Sequence, residues 1–243
     1  MVKLIQAEYI KGRRGFGRRG MIFFPMIATF FAVFLMSGKL SQIAAYNWWY
    51  ILLLPAAVSF LAISLINNEK RLEFINLKTL PIPSQKIWLS KILTGCTYLF
   101  LMNALLFGFS TISGMLFGSS YPIWRGLLAG GVLTITWAWQ VPMGMWLVTK
   151  FNSSITFLSL FAINTICSLQ SIAGEKLWVI PFAIPSRLMA PIIGVNPNGI
   201  PLATDSPLWD TRVILPGIAI TVCLFFLMTG ITTKLVDWSN KND

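Results

Sequence analysis

Histidine is absent from this chain, and acid is scarce: eight Asp and Glu stand against nineteen Lys and Arg in 243 residues. Without an imidazole the chain lacks the commonest general base near neutral pH and the commonest metal ligand. Its three cysteines, Cys96, Cys167 and Cys223, all fall within apolar runs, so they read as small packing residues rather than a disulfide framework. No G-x-x-x-x-G-K-[ST] loop is present to cradle a nucleotide phosphate. The H-E-x-x-H, paired C-x-x-C and G-x-S-x-G patterns are missing too. Charged residues make up only 11%, against about 25% in a soluble domain.

What the chain has instead is length of apolar sequence. Six runs, 21–37, 48–66, 92–117, 126–149, 155–173 and 213–233, are nearly free of charge, and mean hydropathy is +0.71. About 20 apolar residues rising about 1.5 Å each cross a hydrocarbon core of about 30 Å. Backbone groups in lipid must be paired within their own segment, so such runs form helices. The expectation is an all-α, polytopic membrane protein with six transmembrane helices and an N-terminal interfacial helix. It forms a single domain over 1–243, with no room for a separate soluble core. The first run is longer than a signal peptide's apolar region and no clear cleavage site follows it, so it is read as a retained span.

The net charge of +11 is distributed by side. Lys3, Lys11, Arg13, Arg14, Arg18 and Arg19 precede the first run. Lys70, Arg71, Lys78, Lys86 and Lys91 lie in the segment 67–91, and Lys150, Lys234 and Lys241 join them on the same side. The opposite side receives only Lys39, Arg125, Lys176, Arg187 and Arg212. Lys and Arg are retained in the cytoplasm, so both termini are expected inside a bacterial cell membrane. Topology and anionic inner-leaflet lipid account for the basic excess without nucleic acid.

Residues 1–20 read as an interfacial helix with Val2, Ile5 and Tyr9 on one face, broken by the glycines of 12–20. Pro25, Pro55 and Pro142 lie within runs and Pro216 near the start of the last. Trp48, Trp49, Tyr50 and Trp124 read as an outer aromatic belt, with Trp88 and Trp238 as an inner one. Two connections are long. The inner one, 67–91, carries a charged half-turn followed by Phe74, Leu77 and Leu80 at helical spacing and stopped by Pro81. That pattern predicts a short helix able to dock in a groove on another protein. The outer one, 174–212, is proline-rich; its apolar part, 176–193, is read as a hairpin partly buried at the interface, with Asn196-Pro197-Asn198-Gly199 as a turn.

No Asp, Glu, Lys, Arg or His falls inside the six runs, which counts against an intramembrane enzyme or an ion-coupled transporter. Uncharged polar residues do occur, including Asn103, Gln140, Thr165 and Gln170. Asn164, Ser168 and Ser171 share a face of the fifth run, either as a substrate-facing stripe or as partners in interhelical hydrogen bonds. The chain therefore has spans, no energy source and no catalytic centre. That combination fits a permease subunit driven by another chain.

Three elements, at 7–11, 46–50 and 80–91, resemble those of ABC-2-type ABC transporter permeases, and within them the lantibiotic (bacteriocin) immunity permeases. Ala7-Glu8-Tyr9-Ile10-Lys11 resembles an E-aromatic-x-K element on the helix along the inner membrane surface. Tyr46-Asn47-Trp48-Trp49-Tyr50 is similar to an N-W-W-Y signature, and Leu80-Pro81-Ile82-Pro83 with Lys86, Ile87, Trp88 and Lys91 resembles the L-P-[IV] segment after a coupling helix. The resemblance implies a type V exporter bundle, with an inner coupling loop at 67–91 and an extracellular loop at 174–212. It also implies a separate ATPase in two copies, a second related permease and surrounding lipid. Mg-ATP would sit on the ATPase, with no cofactor in this chain. The implied activity is expulsion of a lantibiotic, a cationic amphipathic peptide, from the producer's membrane. Glu69, Lys70, Arg71, Glu73, Phe74, Leu77 and Leu80 would meet the ATPase, and Glu8 and Lys11 would steady the interfacial helix. A permease for a lipid or drug is one alternative; a non-transporting scaffold or sensor subunit is another.

Overall fold

The computed structural model describes residues 1–12, 16–36, 38–79, 81–174 and 176–236, and among them regular structure is almost wholly helical. In chain order the helices are α1 (Val2–Lys11), α2 (Phe16–Leu35), α3 (Leu40–Trp48), α4 (Leu54–Arg71), α5 (Ile75–Lys78), α6 (Ser84–Phe117) and α7 (Ile123–Ala138). They are followed by α8 (Gln140–Lys150), α9 (Ser153–Cys167), α10 (Gln170–Ala173), α11 (Ile184–Met189) and α12 (Ile214–Leu235). A π-helical turn, Trp49–Leu53, joins α3 to α4, making one rod of 32 residues, Leu40–Arg71.

Among the described residues, four stretches are long and apolar enough to cross a bilayer: Arg18–Leu35, Leu40–Arg71, Ser84–Phe117 and Thr211–Leu235. The α7–α8 pair and the shorter α9 are further apolar helical segments. The core gathers between α3–α4, α6, α7, α8 and α11. By contrast, α2 and α12 leave rows of large side chains uncovered, such as Phe30, Phe34, Leu215 and Phe226.

Prolines explain the irregularities. Pro55 has no N–H, so the carbonyl of Ile51 loses its intrahelical donor. The backbone there widens into the π turn, and the Thr165 hydroxyl of α9 donates to that carbonyl at 3.4 Å. Pro142 likewise strands the carbonyl of Ala138, where α7 ends and α8 begins. Pro216 falls in the first turn of α12, where no intrahelical donor is required.

Several expectations need correcting. The N-terminal interfacial helix ends at Lys11, and α2 has already begun at Phe16. The segment 67–91 is mostly helix, because α4 continues to Arg71 and α6 starts at Ser84. At about 1.5 Å per residue these rods measure about 48 and 51 Å, well beyond the about 30 Å of hydrocarbon, so their polar ends project past it. The apolar stretch expected as an interfacial hairpin instead places 184–194 inside the bundle, as α11 and a second π-helical turn, Ala190–Gly194. The turn at Asn196–Gly199 does form, closed by the Gly199 N–H donating to the Asn196 carbonyl at 2.8 Å.

Trp49, Tyr50 and Trp88 do not belong to a lipid-facing belt; all three are fully buried. Each has a partner inside. Trp49 Nε1 donates to Asn103 Oδ1 at 2.9 Å, and Trp88 Nε1 donates to Thr232 Oγ1 at 3.0 Å. Asn47 Nδ2 donates to the Tyr50 hydroxyl at 2.9 Å. Trp124 remains on the surface, with the Arg125 guanidinium 5.4 Å from its ring centre. Trp238 lies outside the described residues.

Close helix approach depends on glycine at several places, Gly95 of α6 and Gly217 of α12 among them. A Cβ on Gly217 of α12 would lie 2.7 Å from Leu188 Cδ1 and 3.1 Å from Ile184 Cγ2 of α11, whereas one on Gly230 of the same helix meets nothing within 4 Å. Gly217→Ala is expected to cost about 1–3 kcal/mol by overpacking. Gly230→Ala is expected to be neutral or stabilising. Thermal unfolding of the two variants in detergent checks the contrast.

Candidate functional site

At one end of the bundle, four charged side chains from three helices close into a neutral network. Glu8 and Lys11 come from α1, Glu69 from the last turns of α4, and Lys91 from the third turn of α6. The Lys91 side chain is 0% exposed and that of Glu69 is 5% exposed. Lys91 Nζ donates to Glu8 Oε2 at 2.6 Å, to Glu69 Oε1 at 2.8 Å and to the Leu65 carbonyl at 3.0 Å. All three ammonium protons are thereby satisfied. Lys11 Nζ pairs with Glu69 and, at 3.5 Å, with Glu8. Burial lowers the Lys11 pKa, but the carboxylates of Glu69 and Glu8 outweigh it, so the ammonium is held above its ordinary value.

Two ammoniums against two carboxylates let the group be buried without net charge, which an isolated ion would not tolerate. Helix α1 is thereby tied to both long rods. Tyr9 adds an aromatic contact, its ring 6.0 Å from that of Tyr98 on α6, and the Arg18 guanidinium stacks 5.3 Å from the Tyr9 ring.

Directly past Glu69 the chain reverses. Phe74 N–H donates back to the Glu69 carbonyl at 2.8 Å, and Glu73 and Phe74 adopt φ of 50° and 58°. Two successive non-glycine residues in this left-handed region are costly, about 1–3 kcal/mol each, and persist where the surroundings fix them. The half-buried Phe74 packs against the core, and the buried Leu77 of α5 is part of it. Arg71, Leu72, Glu73 and Ile75 are exposed at the turn.

The residues expected to meet an ATPase are thus divided. Glu69 and Leu77 lie inside, Phe74 is half covered, and Arg71 and Glu73 are at the surface. Lys70 donates to the Val148 carbonyl at 2.6 Å and also to that of Phe151. Leu80 lies outside the described residues.

The polar stripe of the fifth run is also divided. Asn164 and Gln140 exchange reciprocal amide bonds at 2.9 and 3.0 Å. Ser168 Oγ donates to the Asn164 carbonyl and accepts from Ser186 Oγ at 2.8 Å. Ser171 alone is exposed. No cluster of metal-ligating side chains exists among the described residues.

The sequence reading missed the buried role of Glu69 and Lys91, because both fall just outside the apolar runs. A usable signal was present in acid scarcity: 1–20 and 67–91 hold eleven basic residues but only Glu8, Glu69 and Glu73 as acids. Two of those three enter the network.

Four helices long and apolar enough to cross a bilayer, joined at one end by a charge-neutral network, are those of a multi-pass membrane protein. A family model described as ABC-2 family transporter protein matches residues 4–168, and the chain belongs to that family. No curated protein matches it. The family comprises the membrane permeases of ABC transporters, which lack the ATPase and imply an ABC ATPase as partner.

Removing one member of a buried ion network strands the others, at a cost of about 3–5 kcal/mol. Lys91→Met alone is therefore expected to lower thermal stability in detergent more than the Lys91→Met/Glu69→Gln double variant, the non-additivity of a double-mutant cycle measuring their coupling. Lys11 adds a dependence on alkaline pH. With a folded pKa raised above 10.5, its contribution is complete below pH 10.5 and is lost as pH rises through the higher folded value. Limited proteolysis of α1 across pH 8–12 should show release only at the top of that range.

Proposed function

We propose that the chain is a six-span permease with both termini in the cytoplasm, and that it exports a lantibiotic from the membrane of the cell that makes it. The observation that carries the reading is the link between the turn after Glu69 and the ion network. The turn hydrogen-bonds to the Glu69 backbone, and the Glu69 side chain holds α1 and α6 together. Force applied by an ATPase at Arg71, Leu72, Glu73 and Ile75 reaches three helices at once through this joint. Two ATPase copies and a second, related permease complete the working unit. The fourth to sixth spans are α7–α8, α9 with α10, and α12, and the outward path runs beside 174–212.

The peptide substrate rests on the resemblance of 46–50 to the immunity permeases. Trp49 and Tyr50 act there as buried framework, not as peptide contacts. The substrate already lies in the outer leaflet, so rocking of the permease halves suffices and no deep tunnel is needed. One observation favours the second reading, export of a lipid or drug: an apolar groove of about 300 Å³ between α2 and α6, lined by Met26, Phe30, Phe109 and Ile112.

The test is co-purification from native membranes followed by an ATPase assay. Leu72→Asp with Ile75→Asp, both exposed at the turn, is expected to cut ATPase recovery at least tenfold with membrane insertion intact. Leu77→Asp is expected to destabilise the chain itself, because that position is core. Wild-type complex should show ATPase activity stimulated by added lantibiotic. Recovery unchanged in the Leu72/Ile75 variant would remove the docking role, and stimulation by lipid or drug but not peptide would replace the substrate.

A further inference from the structure

One residue past Glu69, Lys70 turns toward the junction of α8 and α9. It is fixed by the carbonyls of Val148 and Phe151 at the end of α8. Between the ends of α4, α8 and α9 lies an open cavity of about 380 Å³, bounded by Asn67, Lys70, Arg71, Lys150, Asn152 and Ser153. Three cations line it and no carboxylate does. Among the described residues, no acid pairs with Arg71 or Lys150.

The surface adjoining this cavity is apolar. Phe151 is exposed at its rim, and Ile155, Leu158, Ala162 and Ile166 form an exposed stripe along α9. From Ile155 to Ile166 the stripe spans about 16 Å, close to the depth of one leaflet of hydrocarbon. A cationic cavity above a leaflet-deep apolar stripe has the chemistry of a phospholipid site.

We infer that the α4–α8–α9 cavity holds the phosphate headgroup of an anionic inner-leaflet phospholipid, with its acyl chains along the Ile155–Ile166 face of α9. The inference rests on the proposed orientation, which puts this end of the bundle at the inner leaflet. Basic residues at such a surface contribute about 1 kcal/mol each. Occupied, the site would brace the α8–α9 junction against the end of α4, beside the turn on which the ATPase is proposed to act.

The full-length chain, purified without its ATPase, is titrated with phosphatidylglycerol and with phosphatidylcholine, and retained lipid is counted by native mass spectrometry. Phosphatidylglycerol is expected to be held at least tenfold more tightly. Arg71→Gln with Lys150→Gln is expected to weaken its retention about thirtyfold. Lys3→Gln with Lys86→Gln removes the same charge from exposed positions elsewhere on that side and is expected to leave retention unchanged.

Equal retention of the two lipids, or equal loss in the Lys3/Lys86 control, would reduce the effect to diffuse surface charge and overturn the site. Displacement of phosphatidylglycerol by inorganic phosphate at matching concentration would make it a free-anion site rather than a lipid site. Loss of ATPase recovery in the Arg71/Lys150 variant with lipid retention intact would assign the cavity to the ATPase. Because no ATPase is present in the lipid titration, its result is independent of the Leu72/Ile75 co-purification test.

Discussion

A lysine ammonium with no exposure to solvent sets the terms for one whole end of this bundle. Lys91 cannot be buried charged without two carboxylates and a carbonyl within hydrogen-bonding distance. Those groups come from α1 and α4. Helix α1 is therefore part of the bundle's electrostatics. Any displacement of α1 relative to the two long rods exposes an uncompensated ion. A joint of this kind resists partial opening and transmits displacement to all three helices together.

Elsewhere the bundle is held by neutral polar contacts at each point where the backbone or a ring leaves a group unpaired. Asn103 serves Trp49, Thr232 serves Trp88, Thr165 serves the carbonyl freed by Pro55, and Gln140 and Asn164 serve each other. Individually such bonds are modest in a membrane, averaging about 0.6 kcal/mol. Their importance lies in orientation, because each fixes the rotation of one helix against another while apolar packing alone leaves rotation loosely defined. The two kinds of contact thus differ in role: neutral hydrogen bonds set angles along the rods, and ion pairs lock the ends of α1, α4 and α6 together.

The class of the protein was legible in composition alone, since hydrocarbon thickness and backbone hydrogen bonding leave few options for long apolar runs. The runs around 92–117 and 213–233 led directly to α6 and α12. The ends of helices were less legible, because polar residues beyond the hydrocarbon carry no apolar signal even where the helix continues, as at Glu69 and Lys91. Aromatic positions misled for a related reason. Trp49 and Trp88 have the amphipathic character that suits an interface, and only the presence of Asn103 and Thr232 across the bundle makes burial the better outcome. The stretch 184–194 was obscured by its prolines and Arg187. The arginine donates to the carbonyl of Leu208 and feels the charge of Asp210, both more than twenty residues distant in sequence and invisible to local pattern.

The π-helical turn at Trp49–Leu53 has a geometric consequence far from its own position. A turn of this kind adds one residue to the helical repeat, and each residue carries about 100° of rotation. Everything beyond it on the same rod is therefore out of phase with a regular helix counted from Leu40. Glu69, sixteen residues past the turn, takes its rotational position opposite Lys91 with that offset included. The irregularity near one end of the rod acts as a phase setting for the charge at the other, and the hydroxyl of Thr165 that stabilises it belongs, in effect, to the same mechanism as the glutamate it never touches.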